Sequence, residues 1–121
     1  MDAWKGYLSL VALAMSLLDC AEQCERVSRA FFMASSAARG DTELRRTTIL
    51  AIAAMQAAAT TAILEGEARA EALRVVIRNA RQAREVLATR ALDRDLMVCV
   101  ECCERAESLA AAALNRSDGS V

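Results

Sequence analysis

No proline interrupts this chain of 121 residues, and it contains only four glycines. Proline stops helices and is kept to sheet edges, and glycine opens tight turns, so a chain this poor in both has few places to change direction. Alanine dominates the remainder and aromatic residues make up 3% of the chain, a composition that favours helices and gives strands little to pack with. The expectation is an all-α protein forming a single domain over 1–121. That length suffices to bury a core without disulfides or a structural metal.

With so few breakers, each one carries weight. The first helix is expected from Asp2 to Ala38, with Gly6 or the Ser35-Ser36 pair as the points that bend or end it. Residues 1–15 form an N-terminal extension, either continuous with this helix or a short extra helix ahead of it. In Arg39-Gly40-Asp41-Thr42, the glycine suits the left-handed position after a helix, and Asp41 or Thr42 can cap the next one. A second helix is expected from Thr42 to Glu65, closed by Gly66, and a third from Glu67 to Thr89 or Arg90. After Leu92, Asp93 is a suitable N-cap for a fourth helix from Arg94 to Leu114, and 115–121 read as a flexible polar tail. Connections this short bring consecutive helices side by side, which predicts an antiparallel up-down-up-down four-helix bundle.

The second helix has no charged residue from Thr47 to Leu64, so it must be covered on more than one side. A membrane span is disfavoured because the run is mostly alanine, interrupted by threonines and Gln56. The alternative places Leu50, Ala54, Ala57, Ala58, Thr61 and Leu64 in the chain's own bundle and turns Ile49, Ile52, Met55, Ala59 and Ile63 toward a second subunit. A homo-oligomer, dimer or tetramer, is therefore expected.

On the third helix Arg74, Arg78, Arg81 and Arg84 form one face, and Leu73, Val76, Ile77, Ala80, Ala83 and Leu87 the opposite stripe. The net charge of −1, the acidic interruptions at Glu71 and Glu85 and the lack of interleaved aromatics make the arginine face a solvated exterior, not a nucleic-acid reader. The uncharged run Tyr7–Leu18 is long enough for an export signal. However, its leader balances Asp2 against Lys5, and Asp19 occupies the position before Cys20 where a lipoprotein signal needs a small residue. A cytoplasmic protein with reduced thiols is expected.

Those thiols are the candidate chemistry. Cys20 and Cys24 are one helical turn apart, as are Cys99 and Cys103, with Cys102 beside the latter. At 3.6 residues per turn each pair lies on one helix face and can act as a two-sulfur clamp for a soft metal ion. If the first helix reaches Gly40, Cys24 and Cys103 are offset by roughly 9 Å along the bundle, and a first helix ending near Ser36 reduces that offset. Cu(I) accepts two sulfurs in near-linear array, whereas Zn(II) or an iron–sulfur cluster needs the two groups to converge. Against metal binding stands the tendency of cysteine to serve as a small buried hydrophobe. Thiol redox work is disfavoured because apolar burial raises a thiol pKa. No histidine is present, and no phosphate loop or catalytic triad appears, so an enzyme is not expected.

Val76, Ala80, Ala83 and Leu87 step by 4, 3, 4, as do Cys24, Ser28, Phe31 and Ser35. Together with Glu43-Leu44-Arg45-Arg46, the Ala80–Glu85 segment and the Cys99–Glu107 segment, this spacing resembles the bacterial cysteine-rich four-helix-bundle family that includes the copper storage proteins, over roughly Cys20 to Leu114. The resemblance implies Cu(I) held by thiolates inside a bundle and a tetrameric assembly. It also implies low capacity. Thr47, Ala54, Ala58, Val76, Ala80, Ala83, Leu87, Ala106 and Leu109 occupy positions where the family carries further cysteines, while Met33 and Met97 could add thioether ligands or simply fill gaps. The expected function is low-capacity Cu(I) binding through Cys20, Cys24, Cys99, Cys102 and Cys103. The alternative is a structural or interaction module that keeps the bundle without the metal.

Overall fold

The computed structural model describes residues 2–64, 66–90 and 93–119, with side chains described over 4–64, 66–90 and 93–116. All regular structure among these residues is helical: α1 Asp2–Ala34, α2 Ser36–Gly40, α3 Thr42–Thr61, α4 Glu67–Arg90 and α5 Arg94–Gly119. The four long helices contact one another in a closed circuit, α1 with α3 and α5, and α4 with α3 and α5.

The helix boundaries follow from local hydrogen bonding. Ser35 is extended (φ −135°, ψ 118°) and its hydroxyl accepts from the Ala38 N–H at 3.1 Å, so α1 stops at Ala34 and a one-turn helix replaces the expected continuation to Ala38. The carbonyls freed at the end of α1 are taken by the Arg39 guanidinium, which donates to Phe32 and Met33 at 3.1 Å each. Gly40 ends α2 without adopting the expected left-handed conformation, because arginine rather than a reversed backbone serves that helix end. Gly6 does not break α1, and the N-terminal residues from Asp2 onward continue the same helix.

Asp41 caps α3 by accepting from the Leu44 N–H at 3.2 Å. At the far end α3 stops at Thr61, short of the expected terminus at residue 65, which lies outside the described residues. The Thr60 and Thr61 hydroxyls donate to the carbonyls of Gln56 and Ala57 at 3.0 Å each, side-chain bonds that tend to loosen a helix's last turn. Gly66, expected to close the helix, takes the left-handed conformation (φ +81°) four residues beyond the Ala62 cap. Asp93 accepts from the Asp95 N–H at 2.7 Å and so caps α5, while Leu92 lies outside the described residues. The expected polar tail is helical through Gly119, and its last two residues are likewise outside the description.

Alanine and cysteine make up most of the core. Ala51, Ala58, Ala62, Ala80, Ala83, Ala106 and Ala110 are buried alongside Leu17, Leu44, Met55, Leu73, Val76 and Leu87. Three buried hydroxyls, on Ser28, Thr47 and Thr48, each bond a carbonyl one turn back in their own helix, and no described buried polar atom lacks a partner.

The two faces expected on α3 are divided differently. Ile52, Met55 and Ala59, expected at a subunit contact, are buried inside the chain's own core, and only Ile49 and Ile63 of that set are exposed. Leu50 and Leu64, expected inside, are exposed, and so is Ala57. A charge-free helix carries no polar stripe to mark its outer side, so periodicity alone misplaces the boundary. On α4, where arginines do mark it, the expected stripe is buried apart from half-buried Ile77, and Arg74 pairs with Glu67 and Glu71 at 2.9 Å.

Asp41 also ties α3 to α4, accepting from Arg90 at 3.0 Å. The guanidinium, together with the Leu44 N–H, holds the Asp41 carboxyl below its ordinary value of 3.8. A depressed carboxyl pKa stabilises the fold above the unfolded value and loses that contribution as pH falls through the folded one. Asp41→Ala is expected to lower the unfolding free energy by about 1–2 kcal/mol at neutral pH. The gap from wild type should close as pH drops below 3.8, as followed by urea denaturation at several pH values.

Candidate metal centre

Two helices supply every cysteine. On α1, Cys20 and Cys24 continue the inward stripe begun by Leu13 and Leu17. On α5, Leu96, Cys99, Cys103, Ala106 and Ala110 form the matching stripe, with Cys102 at its edge. Because α1 and α5 pack side by side, the stripes face each other and all five thiols fall in one buried seam, the most exposed, Cys102, being 4% accessible.

The seam has defined contacts. Cys24 faces α5 at the level of Cys99, and Cys103 follows Cys99 by one helical turn. The Cys99 thiol approaches the Cys24 carbonyl at 3.8 Å, and the Cys102 thiol donates to the Gln23 side-chain oxygen at 3.4 Å. The break at Ser35 makes this possible, since ending α1 early removes much of the axial offset that a helix running to Gly40 would impose. Nearby, Arg105 of α5 pairs with Asp19 of α1 at 3.0 Å. Sequence reasoning passed over Gln23 and Asp19. Their spacing, one helical turn apart and ahead of the two cysteines by one residue, is the signal that places both toward α5.

The electrostatics oppose ionisation. A hydrogen bond with Cys103 pushes the Cys24 thiol strongly upward, with Cys99 opposing and burial adding to the rise. Cys99 is also held well above the ordinary thiol range by its bond to Cys24 and by burial. Burial, with Cys20 and Cys99 nearby, raises Cys102 to about 11. Burial raises Cys20 too, against the opposing field of Arg105.

The remaining candidate ligands fall elsewhere. Met33 is 74% exposed and Met97 46%, both outside the core. Thr47, Ala54, Ala58, Val76, Ala80, Ala83, Leu87 and Ala106 are buried and Leu109 is half-buried, so hydrocarbon and hydroxyl fill the interior where more sulfur would stand. Glu101 and Glu104 are exposed, as a solvated outer face requires, and Asp95 is half-buried. Among the described residues no group of three or more cysteine, histidine or carboxylate side chains is arranged to hold a metal ion. What the seam contains is sulfur in facing pairs.

No protein-family model, curated protein or solved structure matches this chain.

Burial of all five thiols, and the raised pKa values of Cys20, Cys24, Cys99 and Cys102, make them poor nucleophiles. In the native protein they should react about 100-fold more slowly with a chromogenic aromatic disulfide than in denaturant, a ratio that stopped-flow absorbance measures directly. A raised folded pKa contributes stability that is complete below the unfolded value and is lost as pH rises. Unfolding free energy should therefore decline from pH 9.0 upward as Cys102 approaches its value of about 11. A Cys102→Ala variant should show a shallower decline in the same denaturation series.

Proposed function

We propose that this chain binds one or two Cu(I) ions through pairs of its five cysteine thiolates in the α1–α5 seam, in a reducing cytoplasm. The observation that carries the reading is the approach of the Cys99 thiol to the Cys24 carbonyl at 3.8 Å, with Cys103 one turn further along α5 and all three fully buried. A pair of facing soft donors meets the needs of two-coordinate Cu(I). It does not meet those of tetrahedral Zn(II) or a four-cysteine iron–sulfur cluster, for which a larger ligand group is required. Cu(I) supplies no reaction here and is cargo to be held. The chain's own contribution is to keep the sulfurs paired, dry and shielded from oxidants.

The same proposal takes the four long helices as an antiparallel up-down-up-down bundle. Support comes from the closed circuit of contacts among α1, α3, α4 and α5 and from the short connections between consecutive helices. It also retains the resemblance to the copper storage family, reduced to the ligands of the first and last long helices.

A second reading is favoured by the lack of a larger ligand group and by the raised thiol pKa values: the cysteines are small core residues of a structural or interaction module. One experiment separates the two. Because each ion bound by two thiols displaces two protons, the conditional Cu(I) affinity should rise by about 100-fold per pH unit near neutrality. An anaerobic titration against a competing chelator measures it, and the triple variant Cys24→Ala, Cys99→Ala, Cys103→Ala should lose the tight uptake while keeping its helical circular dichroism. Uptake no stronger than that of glutathione, or affinity indifferent to pH, would establish the second reading.

A further inference from the structure

The first helix carries a second apolar seam that the bundle does not use. Leu13, Leu17, Cys20 and Cys24 step by 4, 3, 4 along its inward face and are all buried. Trp4, Leu8, Val11, Met15 and Leu18 step by 4, 3, 4, 3, and four of them stand open to solvent, Trp4 and Met15 at 63% and 66%. At about 100° per residue the two seams lie on opposite sides of the helix, the outer five falling within about 50° of the direction facing away from the core. Before Leu13 no described residue of α1 is buried, and only Leu10 and Val11 are half-buried. The Trp4 and Tyr7 rings stack with centroids 6.0 Å apart, which widens the seam with an ordered apolar surface.

We propose that this outer seam pairs with the same seam of a second copy of the chain, forming a two-fold symmetric helix pair. Spacing alternating between 4 and 3 is what a partner helix reads, because it keeps one narrow stripe facing a second helix, and a two-fold contact needs only a single self-complementary patch. The exposed parts of Trp4, Tyr7, Leu8, Met15 and Leu18 amount to on the order of 600 Å², taking about 200 Å² for a large apolar residue. That is at the upper limit of roughly 300–600 Å² for the largest apolar patch of a monomer and near the ~800 Å² that each partner gives to a stable interface. Val11, within the seam, is half-buried.

Lipid is the other occupant an apolar helix can take, and the chemistry here disfavours it. Trp4–Ala34 contains an 18-residue window, with a mean hydropathy of 1.2, that is long and apolar enough to cross a membrane. Its second half, however, holds Asp19, Glu22, Glu25, Arg26 and Arg29 and supplies the buried thiols. The uncharged part, Gly6–Leu18, is thirteen residues, about 20 Å against a hydrocarbon core of ~30 Å. Lys5 is the only basic residue before Arg26, so the polar side offers anionic headgroups almost nothing.

The pairing involves no thiol and stands whether or not the chain binds copper. Its test is the mass of the full chain by analytical ultracentrifugation at micromolar concentration, where twice 13.0 kDa is expected. Leu8→Glu combined with Met15→Glu should raise the dissociation constant at least about 100-fold with helicity unchanged, since both side chains are exposed. Met97→Glu, on α5 and exposed to nearly the same degree as Leu8, should leave the dimer intact. A monomeric wild type, a double variant that still dimerises, or a chain that is monomeric in solution but floats with phosphatidylcholine–phosphatidylglycerol vesicles would each overturn the proposal. Should the double variant lose its helicity, the wild-type mass decides alone.

Discussion

Everything in this molecule depends on α1 and α5 packing through small side chains. Leu13 and Leu17 open the α1 stripe, but Cys20, Ala21 and Cys24 continue it, and the α5 stripe consists mainly of cysteine and alanine. Such residues let two helices approach closely, and each removes little apolar area from water, on the order of 1 kcal/mol or less per side chain. Stability must then be spread over many contacts. That explains why α3 buries so wide an arc and why polar residues inside the core, Ser28, Thr47 and Thr48, bond within their own helices instead of reaching across.

The same close packing governs the thiols. Sulfur is large enough to fill space between neighbouring alanines and soft enough to take a metal, and the α1–α5 seam serves either use. Burial that disfavours ionisation also shields the thiols from oxidants. All the sulfur stands on two of the four long helices, because α3 and α4 present Ala54, Ala58, Ala80 and Ala83 to the interior.

The first helix is asked to do two things. Its inner seam completes the core and holds Cys20 and Cys24, while its outer seam, from Trp4 to Leu18, is left without a partner in the monomer. The charge-free α3 adds exposed Ile49, Leu50, Ile63 and Leu64 to the apolar exterior. Hydrocarbon thus stands on both sides of the helix, one side inside the core and the other at the surface.

The sequence by itself determined that this protein is helical, because a chain without proline and rich in alanine has little else to become. It also placed the breaks near Ser35, Asp41, Gly66 and Asp93, where short polar side chains or a glycine act on their own backbone. The pairing of cysteines one turn apart was equally legible, since helical spacing is a local property. Which side of α3 faces inward was not, for no charge marks it. Whether Cys24 meets Cys99 and Cys103 depended on where α1 stops, which the Arg39 guanidinium and the Ser35 hydroxyl decide between them. Residues 75 positions apart come together only when whole helices dock, and helix rotation and register belong to packing between segments, where only the tertiary structure holds the information.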